Sequence, residues 1–258
     1  MNIDINCMFK KIIEDIPKPL KIVSVVGSGL SKGSGMPTFR GKDGLWRNYN
    51  AQDLATLQAF RKDPHLVWNW YKWRMRVLLS AQTNAGHQTL VKLEEKCANL
   101  GIITQNVDGL NEIAGNDPSR IVEIHGRIRY ARCMSCDYIT RWDTEENIIE
   151  DGPIPKCPNC PNTFLRPDVV WFGEQLDHND LYKATDWIDQ CNLMLVIGTS
   201  GTVYPVASFP QIAKNQGKIV IEFNIEPTPL TSICDHSIFG PCEETLPKFL
   251  EDISYLLT

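Results

Sequence analysis

A short apolar run that ends in a glycine-rich stretch constrains the fold of this chain more than any other feature. Residues 21–26 read Lys-Ile-Val-Ser-Val-Val, and residues 27–35 contain four glycines. A run rich in β-branched residues predicts a buried strand that enters a tight loop. Runs of the same character recur at residues 101–104, 121–124, 193–198 and 218–223, with helical stretches between several of them. This alternation predicts a parallel sheet with helices on both faces, in which ligands lie beyond the carboxyl ends of the strands.

Four cysteines fall into two close pairs. Two residues separate Cys133 from Cys136 and Cys157 from Cys160, and 20 residues lie between the pairs. This spacing lets two turns present four thiolates to one Zn²⁺ in a tetrahedron. Because four thiolates close the coordination sphere, the metal would be structural. Unpaired or disulfide-linked cysteines are the alternative reading.

Two segments interrupt the alternation of strands and helices. Residues 37 to about 86 are rich in Trp and Arg, and residues 132–166 hold the paired cysteines and several prolines. A chain of 258 residues suffices for one or two domains. We expect a single α/β domain of residues 1–258, with a discontinuous Rossmann-like part at about 18–36, 86–131 and 166–258. A smaller part would combine a helical insertion at about 37–85 with a zinc ribbon at about 132–165.

Composition excludes several classes of partner. Twenty-six Lys and Arg against thirty-one Asp and Glu give a net charge of −5, so the chain lacks a basic footprint for nucleic acid or anionic lipid, even though a zinc ribbon can bind nucleic acid. Its apolar runs are far shorter than the roughly 18 residues of a membrane span. The N-terminal residues lack an import pattern, and nine cysteines, an odd number, suit a reducing compartment. We expect a cytoplasmic monomer, with mitochondrial and nuclear locations left open.

Polar motifs follow the predicted strands. The glycine loop has the spacing G-x-G-x-x-x-G, one residue longer than the usual dinucleotide fingerprint, so alone it fits a plain turn as well as a pyrophosphate site. The neighbouring motifs are MPTFRG at 36–41, TQNVDGL at 104–110, EIHG at 123–126, RP at 166–167, WFGE at 171–174, GTS at 198–200 and NIE at 224–226. In this order, and together with the four cysteines, they resemble the motifs of the sirtuins from about residue 21 to the C-terminal region.

The resemblance implies an enzyme that uses NAD to remove acyl groups from lysine side chains of proteins, releasing nicotinamide and O-acyl-ADP-ribose. When nicotinamide leaves, positive character develops at the ribose C1′, and the acyl oxygen captures it without a protein nucleophile. By the resemblance, His125 is the catalytic base that deprotonates a ribose hydroxyl. From the residues alone, a lone histidine at a strand end is more commonly a buried, hydrogen-bonded one.

The resemblance also assigns residues to the cofactor. Asn106 and Asp108 are implied to be catalytic and to orient the nicotinamide end and the ribose, with Gln105 beside them, although Asn and Asp equally favour turns. Phe39 would shield C1′ from water and Arg40 would contact phosphate or ribose, with surface packing as the alternative. The residues implied to bind NAD are Gly27, Ser28, Gly29, Ser31, Thr38, Phe39, Arg40, Trp46, Gln105, Asn106, Val107, Asp108, Gly198, Thr199, Ser200, Asn224, Ile225, Glu226 and Cys242. A buried structural thiol is the alternative for the last of them.

The stretch 65–78 is helical by its period and carries one charge on an apolar face. Leu66, Trp70, Trp73 and Val77 share a stripe, with Val67, Tyr71, Arg74 and Leu78 alongside it. A guanidinium in such a place needs an anionic or polar partner, which is either a core carboxylate or the substrate.

The spacing Tyr71-x-x-Arg74 resembles the pair that marks class III sirtuins, which binds the free carboxylate of succinyl- or malonyl-lysine. An arginine fork can hold a carboxylate with two hydrogen bonds. The resemblance therefore implies a preference for succinyl and malonyl over acetyl groups, with the substrate peptide added as a strand beside the segment 169–174. The substrate-binding residues implied are Tyr71, Arg74, Val169, Trp171, Phe172, Gly173 and Glu174.

Three departures from the family pattern are visible. Lys32 and Gly33 replace a typical Ala-Glu in the glycine loop, Asn111 stands where a His usually follows Asp-Gly-Leu, and Asp168 occupies a variable position. A lysine beside a pyrophosphate adds attraction, while the lost acid removes a hydrogen-bond partner. The altered glycine loop leaves a non-catalytic NAD-sensing protein as an alternative. An enzyme that is mainly a deacetylase is another, and so is an ADP-ribosyltransferase, because a different nucleophile could capture the activated C1′.

Overall fold

The computed structural model describes residues 12, 14–40, 44–45, 48, 50–97 and 99–257. Within them the strands are β1 (Lys21–Val26), β2 (Asn99–Thr104), β3 (Ile121–Glu123), β4 (Gly126–Cys133), β5 (Ile139–Arg141), β6 (Leu165–Val169), β7 (Leu193–Ile197), β8 (Ile219–Asn224) and β9 (His236–Phe239). The α-helices are α1 (Gly29–Lys32), α2 (Ala51–Leu54), α3 (Leu57–Lys62), α4 (Pro64–Ser80), α5 (Ala85–Lys96), α6 (Leu110–Ala114), α7 (His178–Gln190), α8 (Phe209–Asn215) and α9 (Cys242–Ile253). None of the helices described is long and apolar enough to cross a membrane.

Six strands form a parallel sheet in the order β3-β2-β1-β7-β8-β9. The chain builds outward from β1 through β2 to β3, then returns to the other side of β1 and continues from β7 to β9. This reversal creates a topological switch point between β1 and β7, where ligands of such sheets bind. The predicted parallel sheet is confirmed, with helices packed on both of its faces.

The central strands are buried on both faces, which explains their continuous apolar runs. In β1, Ile22 and Val26 belong to one apolar cluster, together with residues of α5 and α9. Val23 and Val25 point to the opposite cluster, which includes residues of α7 and α8. Because side chains of a strand alternate between faces, this six-residue run contributes to the apolar clusters on both faces of the sheet.

A second, antiparallel sheet has the order β5-β4-β6. It shares an apolar cluster with α3 and α4, which includes Phe60, Met75 and Ile128. Residues 126–131 and 166–169 belong to this sheet, although the sequence analysis assigned them to the Rossmann-like part. This sheet could not be predicted from an apolar run, because β4 contains three arginines and β6 contains Arg166, Pro167 and Asp168.

Helix α4 confirms the helical period predicted for residues 65–78, but its orientation differs from the predicted one. The helix begins where the Asp63 side chain accepts a hydrogen bond of 2.9 Å from Leu66 N, with proline in its first turn. The buried residues of α4 are Val67, Trp68, Trp70, Tyr71, Lys72, Arg74, Met75 and Leu78. Leu66 is exposed, and Trp73 and Val77 are half-buried, so the stripe assigned to them was partly wrong. Burial centres on the row that contains Tyr71 and Arg74.

Candidate active site

A cavity of ≈ 500 Å³ lies beyond the carboxyl ends of β1, β2, β7 and β8. Its opposite wall is formed by α4 and by the chain that follows β6. The predicted site residues that line it are Gly27, Ser28, Gly29, Thr38, Phe39, Arg40, Tyr71, Arg74, Gln105, Asn106, Val107, His125, Val169, Trp171, Phe172, Glu174, Gly198, Thr199, Ser200, Asn224, Ile225, Glu226 and Cys242. The cavity therefore joins residues that lie far apart in the sequence and that the motifs had assigned to one site.

Three predicted site residues in the described chain do not line this cavity, namely Ser31, Asp108 and Gly173. A fourth, Trp46, lies outside the described residues. The Asp108 side chain instead borders a separate cavity of ≈ 50 Å³. Ser31 and Asp108 are both buried in this structure.

Ser31 and Asp108 form a hydrogen-bond network with the Asn106 side chain. The Ser31 hydroxyl donates to Asp108 Oδ2 at 2.8 Å and lies 3.1 Å from Asn106 Nδ2, which donates to it. The same Nδ2 donates to the backbone oxygen of Gly27 at 3.1 Å. Asp108 Oδ1 accepts from Leu110 N at 3.0 Å at the start of α6. This buried network fixes the Asn106 amide against the glycine loop.

The loops after β1 and β7 approach each other closely. Gly29 N donates to Gly198 O at 2.8 Å. A Cβ at Gly29 would lie 2.6 Å from Gly198 Cα, and a Cβ at Gly198 would lie 2.6 Å from Leu30 N. Gly198 also has a φ of +59°, which disfavours any residue with a side chain. Backbone rather than side chains therefore lines the cavity at the switch point.

Gly198→Ala is expected to destabilise the fold by about 1–2 kcal/mol through its left-handed backbone and by about 1–3 kcal/mol more through the clash with the glycine loop. Gly217→Ala is the matched control, because its φ is +72° and nothing lies within 4 Å of its added Cβ. Urea unfolding of the two variants measures the difference. Equal losses of stability would contradict the close approach of the two loops.

His125 lies in the two-residue turn between β3 and β4, where the chain passes from the parallel to the antiparallel sheet. Its Nδ1 lies 3.1 Å from the backbone oxygen of Gln105. Because a carbonyl only accepts, Nδ1 carries the proton and Nε2 keeps its lone pair. Burial lowers the pKa of the imidazole below its usual 6.5, although the Gln105 carbonyl opposes the shift. Near pH 7 the half-buried imidazole is therefore neutral, and it lines the cavity as a proton acceptor.

Other side chains tie the loops of the parallel sheet together. Gln105 Nε2 donates to Thr199 Oγ1 at 2.8 Å, which joins the loops after β2 and β7. Asn224 Nδ2 donates to the backbone oxygen of Thr199 at 2.8 Å, which joins β7 to β8. Predicted ligand residues therefore also hold one another in place.

At the other end of the cavity, Tyr71 and Arg74 lie one helical turn apart on α4. The Tyr71 hydroxyl oxygen accepts a hydrogen bond from Trp171 Nε1 at 2.9 Å, which leaves its own proton free to donate. Arg74 is 4% exposed, and its Nε is buried without a hydrogen-bond partner. Burial lowers the pKa of Arg74, an effect that Tyr71 and Asp108 oppose electrostatically, and a guanidinium remains charged in proteins.

A core carboxylate in direct contact with Arg74 is not found in the described part of the chain, although the buried Asp108 acts on the guanidinium electrostatically. No ion pair within 4.0 Å joins Arg74 to a described acidic residue. A buried cation without an anion is costly, so an anionic ligand in the cavity would offset that cost.

The segment after β6 forms a turn instead of an extended edge. Phe172 N donates to Ala55 O at 3.0 Å, and Gly173 has a φ of +87°. Glu174 lines the cavity, but its carboxylate is held by the Arg166 guanidinium and by Trp171 N at 2.8 Å. The continuous strand edge expected over residues 169–174 therefore ends at Val169.

Eight further residues line the cavity but were not predicted as site residues, namely Lys32, Ala55, Trp70, Val170, Leu176, Val203, Tyr204 and Thr228. Trp70 and Val170 adjoin predicted residues along the chain, and that adjacency was an available signal. Val203 and Tyr204 lie in an irregular loop after β7, for which the sequence offers no periodic pattern.

The four paired cysteines form one cluster, and their thiols are free. All four Sγ atoms lie within 4.8 Å of one another, and the Sγ atoms of Cys136 and Cys157 are 3.6 Å apart. Zn–S bonds of about 2.3 Å in a tetrahedron place sulfurs about 3.8 Å apart. The cluster therefore fits one structural Zn²⁺ with a closed set of four thiolates, and none of these cysteines lines the cavity.

Comparison with known proteins places these features in a family context. The profile of the Sir2 family matches residues 27–205. A protein of Pyrococcus furiosus named NAD-dependent protein deacylase is 43% identical over 248 residues, covering 95% of this chain and 98% of its own. A protein of the same name from Thermococcus kodakarensis is 44% identical over 244 residues and covers 91% of each chain.

Solved structures agree over the whole fold. A complex of a Sir2 homologue with NAD matches with a TM-score of 0.86 and 40% identity, covering 97% of this chain and 94% of its own. A complex of a Sir2 protein with a p53 peptide and NAD⁺ matches with a TM-score of 0.83 and 29% identity, covering 96% and 98% of the two chains.

Proposed function

This chain belongs to the Sir2 family, and we propose that it removes negatively charged acyl groups, succinyl and malonyl in preference to acetyl, from lysine side chains of proteins. Its broader activity is that of an NAD-dependent protein deacylase, as its relatives are named. The proposal adds the acyl class and the roles of individual residues.

The cavity suits NAD at its sheet end. Gly27 and Gly29 leave the backbone accessible where side chains would meet the loop after β7, and a glycine loop after the first strand is the usual place for a pyrophosphate. Asn106, fixed by its amide hydrogen bonds, would orient the nicotinamide end. When bound, NAD supplies an activated ribose carbon from which nicotinamide departs.

His125 would then act as general base. Its Nδ1–H is held by the Gln105 carbonyl, so Nε2 is the atom that accepts the ribose proton. A pKa lowered by burial keeps that nitrogen unprotonated at neutral pH. Phe39, which lines the same cavity, would exclude water from the reacting carbon.

The observation that carries the acyl preference is a cationic Arg74 that lines the cavity without an acidic partner among the described residues. The guanidinium and the free hydroxyl proton of Tyr71 provide the donors that a terminal carboxylate of a succinyl or malonyl group requires. An acetyl group ends in a methyl and would leave these donors unused. Buried donors left unpaired are a strong basis for discrimination between substrates.

Arg74→Met is expected to lower kcat/KM for a succinyl-lysine peptide by about 10²-fold, because truncating one partner of a buried charge pair costs about 2–5 kcal/mol. Deacetylation of the same peptide sequence is expected to change by less than about 3-fold, since methionine preserves the apolar volume. Nicotinamide release with acetyl, malonyl and succinyl peptides measures both effects.

Arg76→Met is the matched control on the same helix. Its guanidinium donates to Ile148 O at 2.8 Å and pairs with Glu150, outside the cavity. The control is expected to leave the ratio of desuccinylation to deacetylation unchanged. Equal losses of both activities in Arg74→Met would remove this arginine from acyl selection. Mass analysis that finds ADP-ribosylated protein, or NAD binding without peptide-dependent nicotinamide release, would contradict the deacylase reaction.

A further inference from the structure

The Arg74 guanidinium is enclosed by aromatic rings. Its Cζ lies over the ring of Phe39 at 4.6 Å from the centroid, over Trp70 at 5.0 Å and over Tyr71 at 5.8 Å. Trp70 and Tyr71 belong to the same helix as the arginine. Phe39 comes from a different part of the chain, so it is the contact that depends on the tertiary fold.

Rings that lie over a guanidinium restrain it without using its hydrogen-bond donors. The positive charge is attracted to the π face, while the N–H groups remain in the plane of the guanidinium. The unpartnered Nε of Arg74 fits this arrangement, because the aromatic contacts satisfy its charge in part and its hydrogen-bonding capacity not at all. The side chain is therefore held in the cavity wall by contacts that use none of its N–H donors.

Phe39 lies on the segment that leads away from the glycine loop. Thr38 Oγ1 donates to Arg40 O at 3.0 Å, and Leu45 N donates to Thr38 O at 2.8 Å, so the backbone on both sides of Phe39 is tied locally. Phe39 and Arg40 line the cavity together with Gly27–Gly29. One aromatic ring thus connects the segment at the cofactor end with the arginine at the acyl end.

We propose that Phe39 is a positioning residue for acyl selection, whose ring holds the Arg74 guanidinium in the orientation that binds a terminal carboxylate. This rests on the proposed function of Arg74 and adds to it a residue from outside α4. The ring then serves two purposes: it excludes water from the reacting carbon for every acyl group, and it orients the arginine for acidic acyl groups alone. Because only the second effect depends on the acyl group, a comparison of acidic and acetyl substrates distinguishes the two effects.

Phe39→Leu tests the proposal, because leucine retains an apolar side chain but lacks a π face. We expect kcat/KM for a succinyl-lysine peptide to fall about 10-fold further than for the acetyl-lysine peptide of the same sequence, as the loss of one desolvated cation–π contact allows. Phe39→Tyr keeps the ring and is expected to keep the wild-type ratio of the two activities. A ratio unchanged in Phe39→Leu, or lowered equally in Phe39→Tyr, would overturn the proposal.

The double variant Phe39→Leu/Arg74→Met shows whether the effect passes through the arginine. In that background, the leucine is expected to reduce both activities by the same factor relative to Arg74→Met alone. A selective loss that persists without Arg74 would assign the effect to another contact and overturn the proposal. If Arg74→Met abolishes the succinyl preference while Phe39→Leu retains it, the proposed acyl preference is supported and the positioning role of Phe39 is contradicted. If the wild type has no succinyl preference, both fail.

Discussion

His125→Ala is expected to lower the rate of deacylation by about 10²–10⁴-fold, the contribution of a well-placed general base. The structure favours a chemical rather than a structural cause, because the backbone oxygen of His125, which accepts from Val170 N at 2.8 Å, is retained in the variant. The side chain makes one hydrogen bond, to the Gln105 carbonyl. Its loss leaves the glycine loop and the Asn106 network unchanged.

Two measurements distinguish loss of the base from loss of the site. Binding of ADP-ribose by calorimetry is expected to change little in His125→Ala, while single-turnover formation of deacylated peptide falls. Exchange of labelled nicotinamide into NAD is expected to fall less than deacylation, since the base proposed at His125 would act after nicotinamide leaves. His178→Ala is the control, because that imidazole is exposed on α7 and does not line the cavity. A variant that fails to bind ADP-ribose would contradict a purely chemical role.

The pH dependence follows from the same ring. Only the neutral imidazole accepts a proton, so kcat/KM falls as pH drops through the pKa of His125 in the folded protein. Burial places that pKa below 6.5, so the acidic limb of the profile is expected to have its midpoint below pH 6.5. A midpoint above 6.5 would show that a negative group, and not burial, dominates around the ring.

The central sheet was predictable from sequence for a physical reason. Strands buried on both faces must be apolar at every position, and the runs at 21–26 and 193–198 match β1 and β7 closely. The second sheet was not predictable in this way. In β4, Arg127 and Arg132 are half-buried and Arg129 is buried, and β6 contains Arg166, Pro167 and Asp168, all buried. Their charges are balanced by tertiary ion pairs that local patterns do not reveal.

The site residues were predictable where a motif follows the end of a strand. They were less predictable where the contacts between them depend on tertiary packing. The loops after β1, β2, β7 and β8 each follow a recognisable strand, so their convergence follows from parallel topology. The supporting position of Asp108, behind Asn106, does not follow from the motif that contains both. The contact of Phe39 with Arg74 spans two segments with independent sequence patterns and depends on the packing of α4 against the segment that follows the glycine loop.

Removal of the zinc is expected to disable the end of the cavity that contains Arg74, although none of the four cysteines lines that cavity. The segment between the two cysteine pairs is tied to α4 by Lys72, whose Nζ donates a hydrogen bond to Gly152 O at 2.8 Å. Trp68 Nε1 donates to Leu165 O at 2.9 Å, just beyond the second pair. Arg74 lies on the opposite face of α4, so we expect the metal to stabilise the helix that carries the proposed acyl-binding residues.

Cys160→Ala is therefore expected to lower the zinc content from one ion per chain to near zero and the free energy of unfolding by at least about 4 kcal/mol, as loss of a structural metal does. Cys97→Ala removes a half-buried thiol outside the cluster and is expected to retain the metal. Elemental analysis and denaturant unfolding measure the two effects.

Because the NAD end is built by the parallel sheet, we expect binding of ADP-ribose to outlast binding of the succinyl peptide as a chelator removes the metal. Simultaneous loss of both would show that the zinc segment supports the whole fold, whereas retention of both would contradict the connection through α4.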